Sequence, residues 1–238
     1  MNYDRFKFIL ILTVCYISMA TGYGQVNYAE QRQVMVETQL KARDITDSKT
    51  LGAMSRVPRE AFVPEDKKPY AYSDGPLSIG EGQTISQPYI VAFMTQSLRL
   101  KPEDRVLEVG TGSGYQAAVL SEIVDSVYTI EIVEVLGLKA IERLKELGYS
   151  NVEVKIGDGY HGWKEKAPFD AIMVTAGAET MPLFLVDQLA DKGKMIIPIG
   201  PHKGVRQLVL LTKKNGKIKS RNLMPVRFVP FVRQKEDR

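Results

Sequence analysis

Short β-rich runs alternating with helical stretches predict an α/β chain, a doubly wound parallel sheet with an antiparallel C-terminal end. Three observations carry that expectation. In residues 105–120, RVLEVGTGSGYQAAVL, the apolar Val106, Leu107 and Val109 read as a buried strand, and Gly110, Gly112 and Gly114 as a tight turn. A helix follows, its apolar positions 117, 120, 123 and 124 on one face. Beyond it strands and helices alternate: strands at Val127–Ile132, Val152–Ile156, Phe169–Thr175 and Met195–Ile199, helices at Val135–Leu147 and Leu183–Leu189. The third observation is the tail. Gln207–Thr212 and Val226–Val232, joined through Asn215-Gly216, read as strands with no helix between them.

The region before the glycine turn is expected to be helical with one long irregular insert. Val34, Met35, Val36 and Leu40 recur at helical spacing over Tyr28–Leu40, and a second short helix over Ser48–Met54 stops before Val57-Pro58. Residues 65–82, with Pro69, Gly75, Pro76, Gly80 and Gly82, read as a long loop, a feature that is usually functional in a compact domain. A helix then starts near Pro88, which places Thr84, Ile85 and Ser86 just ahead of its N-terminus. Ser86 has two readings at this point, a helix N-cap or a hydroxyl donor in a region that favours anions.

Composition narrows the function classes. The 238 residues carry a net charge of +4 and 44% hydrophobic residues, enough for one large core. The basic residues are scattered rather than striped, which disfavours a nucleic-acid footprint. Cys15 is the one cysteine, and His161 and His202 the two histidines, so neither a disulfide framework nor a thiolate–imidazole metal site is expected. Residues 1–24 read as a signal-peptide-like export leader. Arg5 and Lys7 precede an apolar Phe8–Ala20, and Ser18-Met19-Ala20 or Gly22-Tyr23-Gly24 offers a cleavage site. That apolar stretch falls short of the roughly 20 residues a membrane span needs. Residues 25–238 form the expected single domain: N-terminal helices and substrate loop (25–100), cofactor-binding core (101–200) and C-terminal strands (201–238). A monomer is expected.

Three acids fall at the carboxyl ends of the first strands, where open α/β sheets bind ligands. Glu131, about 20 residues beyond the glycine turn, suits a pair of ribose hydroxyls. Asp158, in Gly157-Asp158-Gly159, suits an exocyclic adenine amine, with Gly159 allowing close approach. Glu108 lies inside the first strand, where burial is costly unless a cation pairs it. The turn is G-x-G-x-G, with Tyr115 where a dinucleotide fingerprint has its third glycine, and no P-loop lysine is present. A pyrophosphate is therefore disfavoured and a positively charged nucleoside favoured. S-adenosylmethionine, with its sulfonium and amino group, fits.

Several stretches resemble the protein-L-isoaspartate (D-aspartate) O-methyltransferase family: VPREAFVPE (57–65), AYSDGPLSIGEGQTISQPYIVAFM (71–94), LEVGTGSGYQAA (107–118), FDAIMVTAGA (169–178), MIIPIG (195–200) and VRFVPF (226–231). The resemblance covers about 32–232, and the TISQP and VRFVPF stretches are its most specific parts. It implies a Rossmann-like, S-adenosylmethionine-dependent methyltransferase sheet with no metal. It also implies methyl transfer to the carboxylate of isoaspartyl, and D-aspartyl, residues in damaged peptides and proteins. By this resemblance Ser86 takes the place of the family's active-site serine. Gly110, Gly112, Gly114, Glu131 and Asp158 take the cofactor role. Thr84, Ile85 and a Val226–Pro230 strand, with Val229, line a peptide groove by strand-like main-chain pairing.

Two departures and three rivals accompany the resemblance. Asp44 stands where the family commonly has glycine after the first helix; aspartate tolerates the left-handed conformation, so only a small stability effect is expected. The leader departs from a family that is usually cytoplasmic. The first rival is a methyltransferase for another acceptor. Amine methylation is disfavoured because Thr175-Ala176-Gly177-Ala178 stands where amine-specific relatives place an Asn or Asp with prolines to accept from an attacking N–H. A nicotinamide-dependent oxidoreductase and a non-catalytic adenosine-binding module complete the three.

Overall fold

The computed structural model describes residues 27–233. The leader therefore lies outside the described residues. At the N-terminus, α1 (Tyr28–Met35) runs on into a π-helical stretch, Val36–Lys41, and α2 spans Ser48–Arg56. Asp47 caps α2 by accepting from the Thr50 amide at 2.9 Å and the Thr50 hydroxyl at 2.6 Å. The expected loop holds β1 (Leu77–Gly80), whose hairpin partner β2 (Gln83–Ile85) lies just beyond it, before α3 (Pro88–Leu98). Strands of four and three residues are too short for their alternation to stand out from the loop.

The main sheet follows. Its strands are β3 (Arg105–Val109), β4 (Ser126–Glu131), β5 (Val152–Ile156), β6 (Phe169–Val174), β7 (Leu189–Ile199), β8 (Arg206–Lys214) and β9 (Lys217–Val226). Helices α4 (Tyr115–Ser121), α5 (Glu134–Glu146) and α6 (Leu183–Asp187) connect the parallel part. The order is β5-β4-β3-β6-β7-β8-β9, parallel through β7 and antiparallel over β7–β8–β9. The chain winds outward from β3 in one direction and returns through β6 in the other. The crevice between the carboxyl ends of β3 and β6 is thus the switch point at which such sheets bind ligands.

Both faces of β3 are buried, since Val106 joins a core with α2, α3 and α4 while Leu107 and Val109 join a second core with α6. No helix among the described residues is long and apolar enough to cross a membrane.

Three expectations are corrected. The last strand is β9, Lys217–Val226, and Val226–Val232 is not a strand. Asn215 (φ 50°) and Gly216 (φ 70°) form a two-residue hairpin turn, so the returning strand starts at once, as an exposed run of polar residues without apolar alternation. Residues 227–233 instead cross back as a strap, touching the sheet through a bridge between Gly177 and Pro230. Strand β7 begins at Leu189, ahead of the expected Met195, because an irregularity around Lys192 (φ 65°) breaks its apolar run. Asp44 is not left-handed; the non-glycine residues with positive φ among the described residues are Glu81, Arg99, Lys192 and Asn215. Its carboxylate accepts from the Tyr89 hydroxyl at 2.7 Å, and its carbonyl from Gln96 at 3.0 Å.

Candidate active site

The glycine turn opens directly at the carboxyl end of β3. Gly110 has φ 104°, and a Cβ there would lie 2.4 Å from Thr175 Oγ1, so a larger residue is excluded twice over. The Thr175 hydroxyl, at the end of β6, donates toward the carbonyls of Gly110 (2.7 Å) and Val109 (3.0 Å) and ties the two strand ends together. Gly112 follows at φ 52° and Gly114 at φ 89°, the latter as the N-cap residue of α4. Across the crevice a Cβ on Gly159 would meet Val109 Cγ1 at 2.4 Å, so its bare backbone is also required. Gly110, Gly112, Gly159 and Thr175 border a cavity that also takes in Glu108, Glu131, Ile85, Ser86 and the strap residues Val229, Pro230, Phe231 and Val232, whereas Gly114 does not line it and packs against α5, where a Cβ would meet Leu144 at 3.3 Å.

The acids divide by environment. Glu131 is anchored by backbone amides: Gly112 donates to Oε2 at 2.7 Å and Val133 to Oε1 at 2.9 Å. Each oxygen keeps a lone pair for a further donor. Glu108 is fully buried; its Oε2 accepts from Thr129 at 2.6 Å, and its Oε1 has no partner among the described residues. Thr111 lies 2.7 Å beyond Thr129, continuing the hydroxyl chain. Burial pushes the Glu108 carboxyl up to about 8, the Thr129 hydrogen bond pulls it down, and the Glu131 charge adds to the rise. The carboxyl is thus poised to ionise when a cation arrives. Asp158 is engaged at its own edge of the site, accepting from the Tyr160 amide at 2.9 Å and from Arg233 Nε at 2.9 Å. Arg233 also lies over the Tyr160 ring at 3.5 Å.

Ser86 sits between β2 and α3 but does not cap the helix: Gln87 is the N-cap residue and no side chain caps it. The Ser86 hydroxyl makes no hydrogen bond among the described residues. Its carbonyl accepts from Arg59 Nη2 at 2.7 Å. A second hollow, a cleft of about 680 Å³, adjoins the cavity between residues 84–90 and 224–229. Thr84, Ser86, Thr175 and Val229 border both. Ser86 therefore stands where the two spaces meet.

The sequence model of the protein-L-isoaspartate(D-aspartate) O-methyltransferase family matches residues 30–236. The chain belongs to this family. Among members of this O-methyltransferase family it is 62% identical to the protein-L-isoaspartate O-methyltransferase of Opitutus terrae over 231 residues, 97% of this chain and 99% of that one. It is 50% identical over 235 residues to protein-L-isoaspartate O-methyltransferase 2 of Syntrophobacter fumaroxidans, 93% of this chain and 95% of the relative. A solved Plasmodium falciparum structure, described as a putative protein-L-isoaspartate O-methyltransferase in complex with S-adenosyl-L-homocysteine, superposes with a TM-score of 0.75. It is 32% identical and covers 85% of this chain and 99% of its own.

Within this O-methyltransferase fold the expected site residues separate into two groups. Ile85 and Pro230 face the cavity, Val226 faces the cleft, and Thr84 and Val229 face both. Asp158 does not line the cavity, whereas Gly159 does. The strand-like peptide pairing expected along Val226–Pro230 meets an obstacle. The Val229 carbonyl already accepts from Gly177 (2.8 Å), Phe231 donates to Gly177 (2.9 Å), and the Phe228 carbonyl accepts from Arg206 (2.8 Å). Sequence reasoning missed Thr175, Tyr89 and Arg43 as lining residues, while Phe228 falls inside the Val226–Pro230 segment expected there. Thr175 alone carried a signal, as the hydroxyl residue ending a strand beside the switch point.

Proposed function

We propose that this chain transfers the methyl group of S-adenosylmethionine to the free carboxylate of L-isoaspartyl, and D-aspartyl, residues in damaged proteins, the step that initiates their repair. One observation carries the reading: Ser86, whose hydroxyl makes no hydrogen bond among the described residues, lines both a cavity holding a buried, half-satisfied Glu108 and the open cleft that adjoins it. The residues present fit the methyl donor. Glu108 would take its cationic amino group, Glu131 its ribose hydroxyls, and the edge around Asp158 and Gly159 its adenine. When bound, the donor supplies a methyl group made electrophilic by the attached sulfonium.

The rest of the work falls to the chain. An isoaspartyl carboxylate is ionised near neutral pH, so no general base is required. Ser86 donates to that carboxylate and holds it in line, and the walls exclude water. Orientation of this kind is worth roughly 7–11 kcal/mol. The leader at residues 1–24 supports export, which N-terminal sequencing of the protein from its own cell tests.

The deciding experiment supplies tritiated S-adenosylmethionine and two peptides that differ only in isoaspartate or aspartate at one position. Base-labile label on the isoaspartyl peptide alone is expected. Label on neither peptide, with the donor still bound, overturns the reading.

A further inference from the structure

Two arginines are buried without a carboxylate, and each holds one wall of the cleft. Arg59 is fully buried, its Nε donating to the Ala71 carbonyl at 2.7 Å and its Nη2 to the Ser86 carbonyl at 2.7 Å. The two carbonyls bracket the segment 71–86, which contains the β1–β2 hairpin. The Tyr115 ring lies 4.8 Å from the guanidinium carbon, and Nη1 has no hydrogen-bond partner among the described residues. Arg206 is 2% exposed. Its Nη1 donates to the Phe228 carbonyl at 2.8 Å, its Nη2 to the His202 carbonyl, and its Nε has no partner among the described residues. It packs so tightly on Gly177 that a Cβ there would fall 2.1 Å from Arg206 Nε. Gly177 is in turn the residue that receives the strap at Val229 and Phe231.

Neither guanidinium forms an ion pair among the described residues. Stability alone does not account for them, because a buried cation costs more than a well-packed apolar side chain of similar volume. Each planar fork instead reaches two carbonyls from separate stretches of chain in one fixed geometry, which the point-like ammonium of a lysine does not impose and an apolar residue cannot supply. One of the two carbonyls belongs in each case to a residue lining the cleft, Ser86 on one side and Phe228 on the other.

We infer that Arg59 and Arg206 are positioning residues for methyl transfer: Arg59 fixes the wall that presents the Ser86 hydroxyl, and Arg206 fixes the opposite wall against which the acceptor peptide rests. This inference rests on the function proposed above. The two roles have different kinetic signatures. Loosening the Ser86 wall misplaces a group that acts on the reacting carboxylate and lowers kcat. Loosening the Phe228 wall weakens peptide binding and raises KM.

The test uses the full chain with Arg59→Lys, Arg59→Met, Arg206→Lys and Arg206→Met. The methionine variants remove the buried charge and are expected to stay folded. Rates on an isoaspartyl peptide are counted per S-adenosylhomocysteine-binding site, below each variant's melting temperature, alongside backbone hydrogen exchange. The Arg59 variants should lose about tenfold or more in kcat with peptide KM within about threefold, and the Arg206 variants should show the converse. Exchange should accelerate locally in 83–90 or 226–231, with β3 and β6 protected as in the wild type. Unchanged kinetic constants per site overturn the inference, even where the melting temperature falls, because a merely structural arginine would behave that way. A wild type that labels no isoaspartyl peptide refutes the proposed function instead, and the local exchange pattern then decides alone whether the two arginines hold the walls.

Discussion

Glu108 couples the cavity to pH, because its carboxyl is pushed up to about 8 in the folded protein from an ordinary 4.5. Between those values the folded chain holds a proton that the unfolded chain releases. Its contribution to stability is therefore full below about pH 4.5, declines as pH rises, and is gone above about 8. Urea unfolding of wild type and Glu108→Gln across that window should show the wild type losing stability relative to the variant, on the order of a few kcal/mol. A ligand whose cation pairs with Glu108 must expel the same proton. Titrating S-adenosylhomocysteine at pH 7 in buffers of different ionisation enthalpy should reveal release of up to about one proton per site, abolished in Glu108→Gln. No release in the wild type would place the ligand's cation elsewhere. Ser86 presents the opposite case, a hydroxyl with no electrostatic strain and no partner among the described residues. A hydrogen bond to a charged group is worth about 1.5–3 kcal/mol, so Ser86→Ala should cut kcat/KM for an isoaspartyl peptide about 10- to 150-fold. S-adenosylhomocysteine affinity should be unchanged, and an unaltered kcat/KM would reduce the residue to a loop filler.

At the level of elements, legibility followed burial. Strands β3 and β6 were readable because both of their faces are covered, so Val106-Leu107 and Ile172-Met173-Val174 form unbroken apolar runs. Helix α3 was readable from Pro88 at its first turn. The β9 edge was not, since residues 217–222 are exposed on both faces and carry no alternation; the apolar VRFVPF, which has the composition of a strand, ends β9 at Val226 and continues as the half-buried strap, held by tertiary contacts rather than by a ladder. The same limit explains the site. Glycines and acids at strand ends announce themselves by position, whereas the Asp44–Tyr89 bond and the Arg59 and Arg206 contacts join residues far apart in sequence. The hairpin that hid β9 offers its own check. Gly216 has φ 70°, and a Cβ added there would meet nothing within 4 Å, so Gly216→Ala adds backbone strain and nothing else. A loss of about 1–2 kcal/mol by denaturant unfolding is expected, with kcat and KM unchanged. A kinetic effect would mean that the turn of the β8–β9 hairpin is coupled to the cleft, which the hairpin lines only at its other end, Met224–Val226.

For the whole molecule, the seven-stranded sheet is complete at Val226, and the strap beyond it serves the site rather than the sheet. Residues 229–232 border the cavity and 227–229 the cleft, and Arg233 reaches back to Asp158. The strap's fixed points are the two main-chain bonds on Gly177 and the Arg206 bond to Phe228. A chain ending at Val226 should therefore keep its cooperative unfolding and its circular dichroism. It should lose about 1–3 kcal/mol, chiefly because Arg206 keeps a buried charge without one of its carbonyls. Both ligand spaces, in contrast, would lose a wall at once. S-adenosylhomocysteine should bind at least about tenfold more weakly by calorimetry, and methyl transfer to an isoaspartyl peptide should vanish. Retained cofactor affinity with lost transfer would confine the strap's role to the acceptor side. Retained transfer would show that the sheet and the 71–86 segment suffice, and that the closure seen over the switch point is not needed for catalysis.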